Sequence, residues 1–325
     1  SREEFRAAGH RLVDEIAGLF DGVADRPITT GKRPEDLRAI MDFNAPLPEL
    51  GGDAAQLLER ATKLVTENSL YNAHPRFWGY ITAGAAPIGV LGDLLASAVN
   101  PNVGGWVLSP MASEIESQTI RWIAELLGYP KDCGGILVSG GNMANFVGFL
   151  AARAAKGDPD LRAKGLTHGD GRRLRMYVSG ETHTWIQKAA DLFGFGTDAV
   201  RWIPTDSDFR MDIAALEARI NDDLKDGDKP FLVVGTAGSV STGAIDALPR
   251  IHEICRKYDL WFHVDGAFGG FAACVPDVHD DIRGLALADS VAVDPHKWLY
   301  APLEAGCALV RDPGNLLKAF SYRPK

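Results

Sequence analysis

The chain has 325 residues, of which 46% are apolar and 24% charged, a composition typical of a globular protein with a large hydrophobic core. Its formal net charge of −9 argues against a nucleic-acid-binding surface, because such a surface needs clustered Lys and Arg. No run of about 18 apolar residues is present and the first residues lack a signal-peptide core, so we expect no membrane span.

The first 70 residues predict helices and turns without strands. Residues 3–20 place their apolar side chains on one face of a helix, which must be buried against the same domain or a second subunit. A proline-rich stretch follows, interrupted by a short helix over residues 35–41. Asp53 is a typical N-cap for a further helix that ends near Asn68.

Residues 74–84 (His-Pro-Arg-Phe-Trp-Gly-Tyr-Ile-Thr-Ala-Gly) are dense in aromatic side chains. Such a segment can line a pocket with flat apolar walls, although ordinary core or interface packing is an equally good interpretation. Residues 87–99 are apolar nearly all round and predict a buried helix. Ser109 and Pro110 predict the start of the next helix, which Gly128 ends.

From residue 135 onward, apolar runs alternate with helical segments, which predicts an α/β fold with a mostly parallel seven-stranded sheet and helices on both faces. The link between the last two strands is too short for a helical crossover, so the final strand is expected to run antiparallel. The predicted strands are 135–138, 175–178, 199–203, 231–234, 261–264, 291–293 and 307–310. The predicted helices between them are 142–156, 184–193, 212–224 and 248–258.

A glycine-rich turn follows the first strand and leads directly into a helix. Residues 138–145 read Val-Ser-Gly-Gly-Asn-Met-Ala-Asn, which is neither a dinucleotide-binding fingerprint nor a P-loop. Small residues let the backbone approach an anion, and the free N–H groups of a helix start attract phosphate. Many such turns bind nothing, so this motif gains weight only in combination with others.

Polar turns also follow the second and fourth strands. Residues 177–185 (Tyr-Val-Ser-Gly-Glu-Thr-His-Thr-Trp) open a helix and place His183 where its ring can lie flat on a pyridine, with Thr184 in reach of a phosphate. Residues 235–246 are rich in glycine and hydroxyl groups that can bind a cofactor, or simply form a turn.

An acid and a lysine follow two further strands. Residues 261–265 (Trp-Phe-His-Val-Asp) end in Asp265, and residues 290–299 (Ser-Val-Ala-Val-Asp-Pro-His-Lys-Trp-Leu) place Lys297 just beyond a strand. Open α/β sheets bind ligands at this edge. Pyridoxal phosphate chemistry needs an amine that forms a Schiff base and a carboxylate that keeps the pyridine nitrogen protonated. Either residue alone is more often structural; their combination with the phosphate loop and His183 favours the cofactor site.

The motifs at residues 265–267 (Asp-Gly-Ala), 294–299 (Asp-Pro-His-Lys-Trp-Leu) and 181–183 (Glu-Thr-His), with the segment 74–116, resemble the group II pyridoxal-phosphate-dependent amino acid decarboxylases. The resemblance is nearest to the aromatic-L-amino-acid decarboxylases and covers essentially the whole chain. It implies fold type I of these enzymes, pyridoxal 5'-phosphate as cofactor, and a homodimer with the active site at the interface. It also implies a partner-wrapping helical segment over residues 1–70 and a cofactor-binding domain over residues 71–325.

The resemblance assigns roles to positions that match the family motifs. Lys297 is the Schiff-base (internal aldimine) lysine, Asp265 the partner of the pyridine nitrogen and His183 the residue that stacks on the ring, with Ala267 on the opposite face. The other implied cofactor contacts are Gly140, Gly141, Asn142, Thr236 and His296. The implied substrate contacts are Thr82, Trp106 and Tyr80. No metal is implied.

The implied reaction is decarboxylation of an L-amino acid to the amine and CO2. The aromatic-rich segment favours an aromatic substrate over glutamate, because no basic cluster accompanies it. Family members continue past Lys325 into a mobile loop and a small C-terminal domain, which we expect to be absent from this sequence, so the final proton donor is not assigned. Other pyridoxal phosphate reactions stay open, namely aldehyde synthesis, transamination, desulfuration and carbon–carbon cleavage. So do another phosphorylated ligand and a non-catalytic dimeric homologue.

The expected partners are a small amino acid and a second copy of the chain, without nucleic acid or membrane. The four cysteines are far apart in sequence and form no Cys-x-x-Cys pair. This spacing is typical of reduced thiols, and we therefore expect a cytoplasmic protein.

Overall fold

A computed structural model describes residues 1–166 and 171–322. The end of the chain at Lys325, where the family likeness predicts a missing loop and domain, lies outside the described residues. The chain divides into two compact units, residues 1–84 and residues 85–325, which are described separately.

The first unit is helical, as its sequence predicts. It contains α1 (Arg2–Gly22), α2 (Pro34–Met41) and α3 (Ala54–Asn68). Ser1 and Glu4 form a capping box at the start of α1, and the Asp53 carboxylate accepts the N–H of Gln56 at the start of α3. Helix α1 packs against α3, but Phe5 and Val13 on its apolar stripe stay exposed.

The second unit opens with two helices, α4 (Pro87–Val99) and α5 (Pro110–Leu126). The prediction that α4 is buried is wrong. Its apolar side chains face outward in the described chain, with Ile88 77% exposed and Leu95 66% exposed. The sequence pattern is that of a buried helix, but the described residues of this chain leave its apolar side chains exposed.

Ser109 stands at the N-cap position of α5 as predicted, but its side chain makes no capping hydrogen bond. Its backbone carbonyl accepts the Ser113 hydroxyl instead. Gly128 ends the helix with a φ of +66°, a left-handed conformation that glycine adopts without strain.

The remainder of the second unit is the predicted α/β domain. Its strands are β1 (Gly134–Val138), β2 (Leu174–Ser179), β3 (Val200–Ile203), β4 (Lys229–Thr236), β5 (Trp261–Asp265), β6 (Ser290–Val293) and β7 (Gly306–Val310). Its helices are α6 (Gly141–Lys156), α7 (Leu161–Lys164), α8 (Trp185–Leu192), α9 (Ile213–Lys225), α10 (Leu248–Lys257), α11 (Asp280–Arg283), α12 (Pro295–Trp298) and α13 (Pro313–Phe320).

The seven strands form one mixed sheet in the order β1-β7-β6-β5-β4-β2-β3. Strands β6, β5, β4, β2 and β3 pair in parallel, whereas β7 pairs antiparallel with both β6 and β1. The antiparallel final strand is therefore confirmed. Because β7 alone is reversed, the other six strands end at the same edge of the sheet.

Helices cover both faces of the sheet, and alternate residues of the central strands separate the two layers. Phe262, Val264 and Val293 pack into the core beneath α5, α9 and α10. Trp261 and Ala292 face the opposite layer, which is built around α6 and α8. In the described ranges, the structure contains no helix long and apolar enough to cross a membrane.

Candidate active site

The predicted cofactor residues of the second unit lie at the carboxyl-terminal edge of the sheet. Asp265 is the last residue of β5, Thr236 the last of β4, and α12, with His296 and Lys297, begins two residues after β6. The glycine turn after β1 leads into α6. Ligands of open α/β sheets bind at this edge because the strand ends and helix starts expose free backbone groups there.

Lys297 forms a salt bridge with a carboxylate three residues before it. Its Nζ lies 2.7 Å from Oδ2 of Asp294, and the side chains of Lys297 and Asp294 are only 15% and 2% exposed. The Asp-Pro sequence that stops β6 places Asp294 at the N-cap position of the short helix α12 and Lys297 within that helix. The lysine amine is therefore held in a largely enclosed position with one ionic partner.

Asp294 also lies against the start of helix α6. A Cβ added to Gly141, the first residue of α6, would lie 2.7 Å from Asp294 Oδ2 and 3.0 Å from the Cβ of Ala267. Only glycine permits this close approach. The preceding residue, Gly140, has a φ of +123°, which directs the chain into the helix. These contacts join the glycine turn, the lysine segment and the residue that follows β5.

Two donors hold the carboxylate of Asp265. The indole Nε1–H of Trp185 donates to Oδ2 at 2.8 Å, and the backbone N–H of Ala267 donates to Oδ1 at 3.2 Å. Trp185 is fully buried and Asp265 is 6% exposed. The carboxylate is thus fixed in orientation at the end of β5, as a charge partner for a ligand requires.

His183 lies in the turn between β2 and α8 with an exposed ring. Its Nδ1 accepts the backbone N–H of Trp185 at 3.3 Å, so the neutral ring carries its proton on Nε2. Although His183 is exposed as a residue, partial desolvation of its ring lowers its pKa, and the charge of Asp265 opposes that effect. The indole N–H of the same Trp185 donates to Asp265, which links His183 to the carboxylate described above.

Hydroxyl groups form a chain beside Asp265. Thr236 is the register partner of Asp265 in the sheet, and its Oγ1 lies 3.4 Å from Oγ1 of Thr182. Thr182 in turn lies 3.4 Å from Ser179 Oγ. Thr236 is therefore adjacent to the acid, as its predicted role requires.

His296 is oriented by the backbone on the other side of α12. Its Nδ1 accepts the N–H of Ala305 at 2.9 Å, which leaves the proton of the neutral ring on Nε2. That nitrogen lies 3.8 Å from Asp294 Oδ2. A Cβ on Gly140 would lie 3.5 Å from the His296 ring. His296 thus borders the glycine turn, whereas Asn142 is exposed in the first turn of α6.

The three predicted substrate contacts are not joined to this cluster by the contacts above. Thr82 and Tyr80 belong to the first unit, where the Thr82 hydroxyl donates to Asn72 at 3.0 Å and the Tyr80 ring is exposed. Trp106 lies in a short helical turn before α5, 58% exposed, with its Nε1 donating to Glu114 at 2.8 Å. Their roles stay predictions.

Sequence reasoning missed Asp294, Trp185 and Thr182. Asp294 belongs to the motif at residues 294–299 but was given no role of its own, although it stands three residues before Lys297, a spacing that brings the two side chains together across the start of a short helix. Trp185 and Asp265 are 80 residues apart, so local spacing gives no sign of their hydrogen bond. Thr182 carries only the weak signal of a polar turn after a strand.

The cluster fits pyridoxal phosphate. It provides a helix start that no Cβ blocks, a lysine amine, a buried carboxylate held by two donors and a small side chain at Ala267. Within residues 1–166 and 171–322, no group of three or more His, Cys, Asp or Glu side chains could hold a metal ion. The donor set therefore suits an anionic heterocycle.

Comparison with known proteins gives a consistent result. The family described as "Pyridoxal-dependent decarboxylase conserved domain" matches residues 34–325. An aromatic-L-amino-acid decarboxylase of Bacillus atrophaeus is 32% identical over 325 residues, which is 100% of this chain and 65% of that protein. The acidic amino acid decarboxylase GADL1 of Xenopus tropicalis is 36% identical over 307 residues, which is 94% of this chain and 58% of that protein.

A crystal structure of Oryza sativa TDC with PLP and tryptamine shares the fold, with a TM-score of 0.89 and 28% identity. The match covers 100% of this chain and 67% of that chain. This chain spans less than two thirds of the length of the two curated relatives.

Proposed function

The chain belongs to the pyridoxal-dependent decarboxylase family, and from that premise we propose that it decarboxylates an L-amino acid, with aromatic substrates favoured. The products are the corresponding amine and CO2. The observation that carries the proposal is the convergence of Lys297 and Asp265 on one sheet edge. The contacts of Asp294, Gly141 and Ala267 connect these two residues without a break.

The residues of the cluster divide into three parts of a cofactor site. The start of α6, at Gly140 and Gly141, would bind the phosphate. Asp265 would pair with the ring nitrogen, and His183 and Ala267 would flank the ring. When bound, pyridoxal phosphate supplies an electron-accepting ring that stabilises negative charge on the substrate carbon.

The protein's own contribution is to orient groups and to hold protons at defined atoms. Trp185 and the Ala267 N–H fix the Asp265 carboxylate, so its charge need not reorganise during the reaction. His183 presents an N–H at Nε2 because Nδ1 is already an acceptor. Lys297 holds its proton at Nζ against Asp294, and it must release that proton before the amine can act as a nucleophile.

Aromatic amino acids are favoured by the side chains of residues 74–84 and by the absence of a basic cluster in that stretch of sequence. The 32% identity to an aromatic-L-amino-acid decarboxylase supports the same choice. The acidic amino acid decarboxylase relative makes acidic substrates the competing outcome. Tyr80, Thr82 and Trp106 are proposed to contact the substrate.

The proposal includes a homodimer. Helix α4 presents a row of apolar side chains to the outside of the described chain, and such a surface is normally covered by a partner. A second copy is the proposed partner because the family likeness implies a dimer. The exposed residues are Ile88, Leu91, Leu94, Leu95 and Val99. The proposed location is the cytoplasm, which the four unpaired cysteines favour.

The experiment is a product assay with the purified full-length protein, pyridoxal phosphate and single amino acids. Phe, Tyr, Trp and 3,4-dihydroxyphenylalanine are compared with glutamate and cysteine sulfinate. We expect CO2 and the amine from an aromatic substrate, and neither product from Lys297→Ala. An aldehyde or a keto acid in place of the amine, or turnover by Lys297→Ala, would contradict the proposal. Light scattering of the same sample tests the dimer.

A further inference from the structure

Asp294 stands out as a buried carboxylate with only part of its hydrogen-bonding capacity used. Its Oδ2 pairs with Lys297, whereas its Oδ1 is buried and has no hydrogen-bond partner among the described residues. A buried, unpartnered carboxylate oxygen is costly and needs an explanation. The carboxyl group lies against Gly141, the first residue of α6, through Oδ2, so the carboxyl group borders the position where an anion would bind.

The charges around this position do not balance once an anion is present. Lys297 supplies one positive charge, which Asp294 already uses. An anion such as phosphate or sulfate at the helix start would add two negative charges beside the carboxylate. Two like charges held close together in a buried site cannot both stay ionised without further compensation.

The cationic neighbours of Asp294 do not offset its burial: burial raises the pKa of Asp294 more than Lys297 and His296 lower it. Burial is the largest cause of the raised pKa of Asp294. The negative charge of Asp265, at the end of β5, raises that pKa further. His296 accepts a backbone N–H at Nδ1, and its Nε2 lies 3.8 Å from Asp294 Oδ2. His183 likewise accepts a backbone N–H and has a lowered pKa. The first turn of α6 contributes no ionisable side chain.

We propose that binding of a dianion at the start of α6 is coupled to protonation of Asp294, which then donates a hydrogen bond to the anion through Oδ1. The proton comes from solvent while Lys297 keeps its own, so one proton is taken up for each dianion bound.

This inference rests on the proposed function in so far as the anion is the phosphate of the cofactor. Its test uses inorganic sulfate, which does not titrate near neutral pH, and it needs no turnover. The full-length protein, purified without added cofactor, is titrated with sulfate by calorimetry in buffers of different ionisation enthalpy. The wild type is compared with Asp294→Asn, which keeps the shape of the side chain and removes its titration.

We expect uptake of about one proton per sulfate in the wild type and none in Asp294→Asn. The affinity of the wild type should fall about tenfold for each unit rise in pH over the range where uptake is complete, and that of Asp294→Asn should stay constant. In the infrared difference spectrum, sulfate should produce the carbonyl band of a neutral carboxylic acid in the wild type alone.

A wild-type affinity that is independent of pH would overturn the proposal, whether or not the variant folds. Proton uptake that persists in Asp294→Asn and disappears in His296→Gln would assign the proton to the imidazole and would also overturn it. Decarboxylation is assayed separately. A protein that binds sulfate with proton uptake but releases no CO2 would refute the proposed function and leave this inference intact.

Discussion

Asp265→Asn tests the proposed charge partner of the cofactor ring with a minimal change. The substitution keeps the size of the side chain and removes its negative charge. Trp185 Nε1 and the Ala267 N–H both donate to the carboxylate, at 2.8 Å and 3.2 Å. An amide has only one oxygen, so its NH2 group must face one of these donors. The variant therefore loses one hydrogen bond as well as the charge.

The expected loss is large because the charge is buried. Removing one partner of a buried ion pair costs roughly 3–5 kcal/mol, which corresponds to a fall in kcat of about two to four powers of ten. The measurement is CO2 release at saturating substrate and cofactor, with the fraction of folded protein determined by circular dichroism. A kcat within about threefold of the wild type would refute the role of Asp265, because this is below 1 kcal/mol.

Asp223→Asn is the matched control. Asp223 is also a fully buried aspartate, and it accepts a side-chain hydrogen bond at 2.8 Å, from the Tyr177 hydroxyl. Asp223 also forms a salt bridge with Arg201. Burial raises the pKa of Asp223, but its hydrogen bonds and the charge of Arg201 lower this pKa by more. Replacing the Asp223 carboxylate should reduce the stability of the protein and leave kcat per folded molecule unchanged. Equal losses of kcat in both variants would show that Asp265 acts only through folding.

Three further outcomes follow from named contacts. Gly141→Ala should lower the free energy of unfolding by about 1–3 kcal/mol in denaturant titrations, because the added methyl group overpacks against Asp294. Trp185→Phe should raise the dissociation constant of the cofactor by roughly one to two powers of ten, because it removes a hydrogen bond to a charge; an unchanged constant would contradict this. Burial lowers the pKa of His263 from 6.5 to about 4, so its contribution to stability is complete above pH 6.5 and is lost as the pH falls through 4. The unfolding free energy should then drop by about 3 kcal/mol, and an NMR titration of this ring near pH 6.5 would contradict the assignment.

Much of the α/β domain could be predicted from sequence because its signals are local. Each strand is an apolar run bounded by glycine, proline or a polar turn, and the antiparallel direction of β7 follows from a connection too short for a crossover. The ends of β5 and β6 could be assigned to one site because parallel strands share an edge. Asp265 and Lys297 could therefore be identified as site residues from the sequence.

Other features depend on contacts between residues distant in sequence. The hydrogen bond from Trp185 to Asp265 joins α8 to β5, and nothing in the spacing of the two residues indicates it. Asp294 could have been identified from its position three residues before Lys297. Its approach to Gly141, however, depends on the packing of α6. Helix α4 shows the limit of hydrophobic patterning, because its apolar pattern predicts a buried helix whereas its side chains are exposed in the described chain.

Peptide mapping of the purified full-length protein after borohydride reduction tests the central assignment most directly. Reduction fixes the cofactor to the amine that holds it, and mass spectrometry identifies the modified lysine. We expect one modified peptide, which carries pyridoxyl phosphate on Lys297. Modification at a different lysine, or a fully loaded protein in which Lys297 is unmodified, would contradict the assignment of this site.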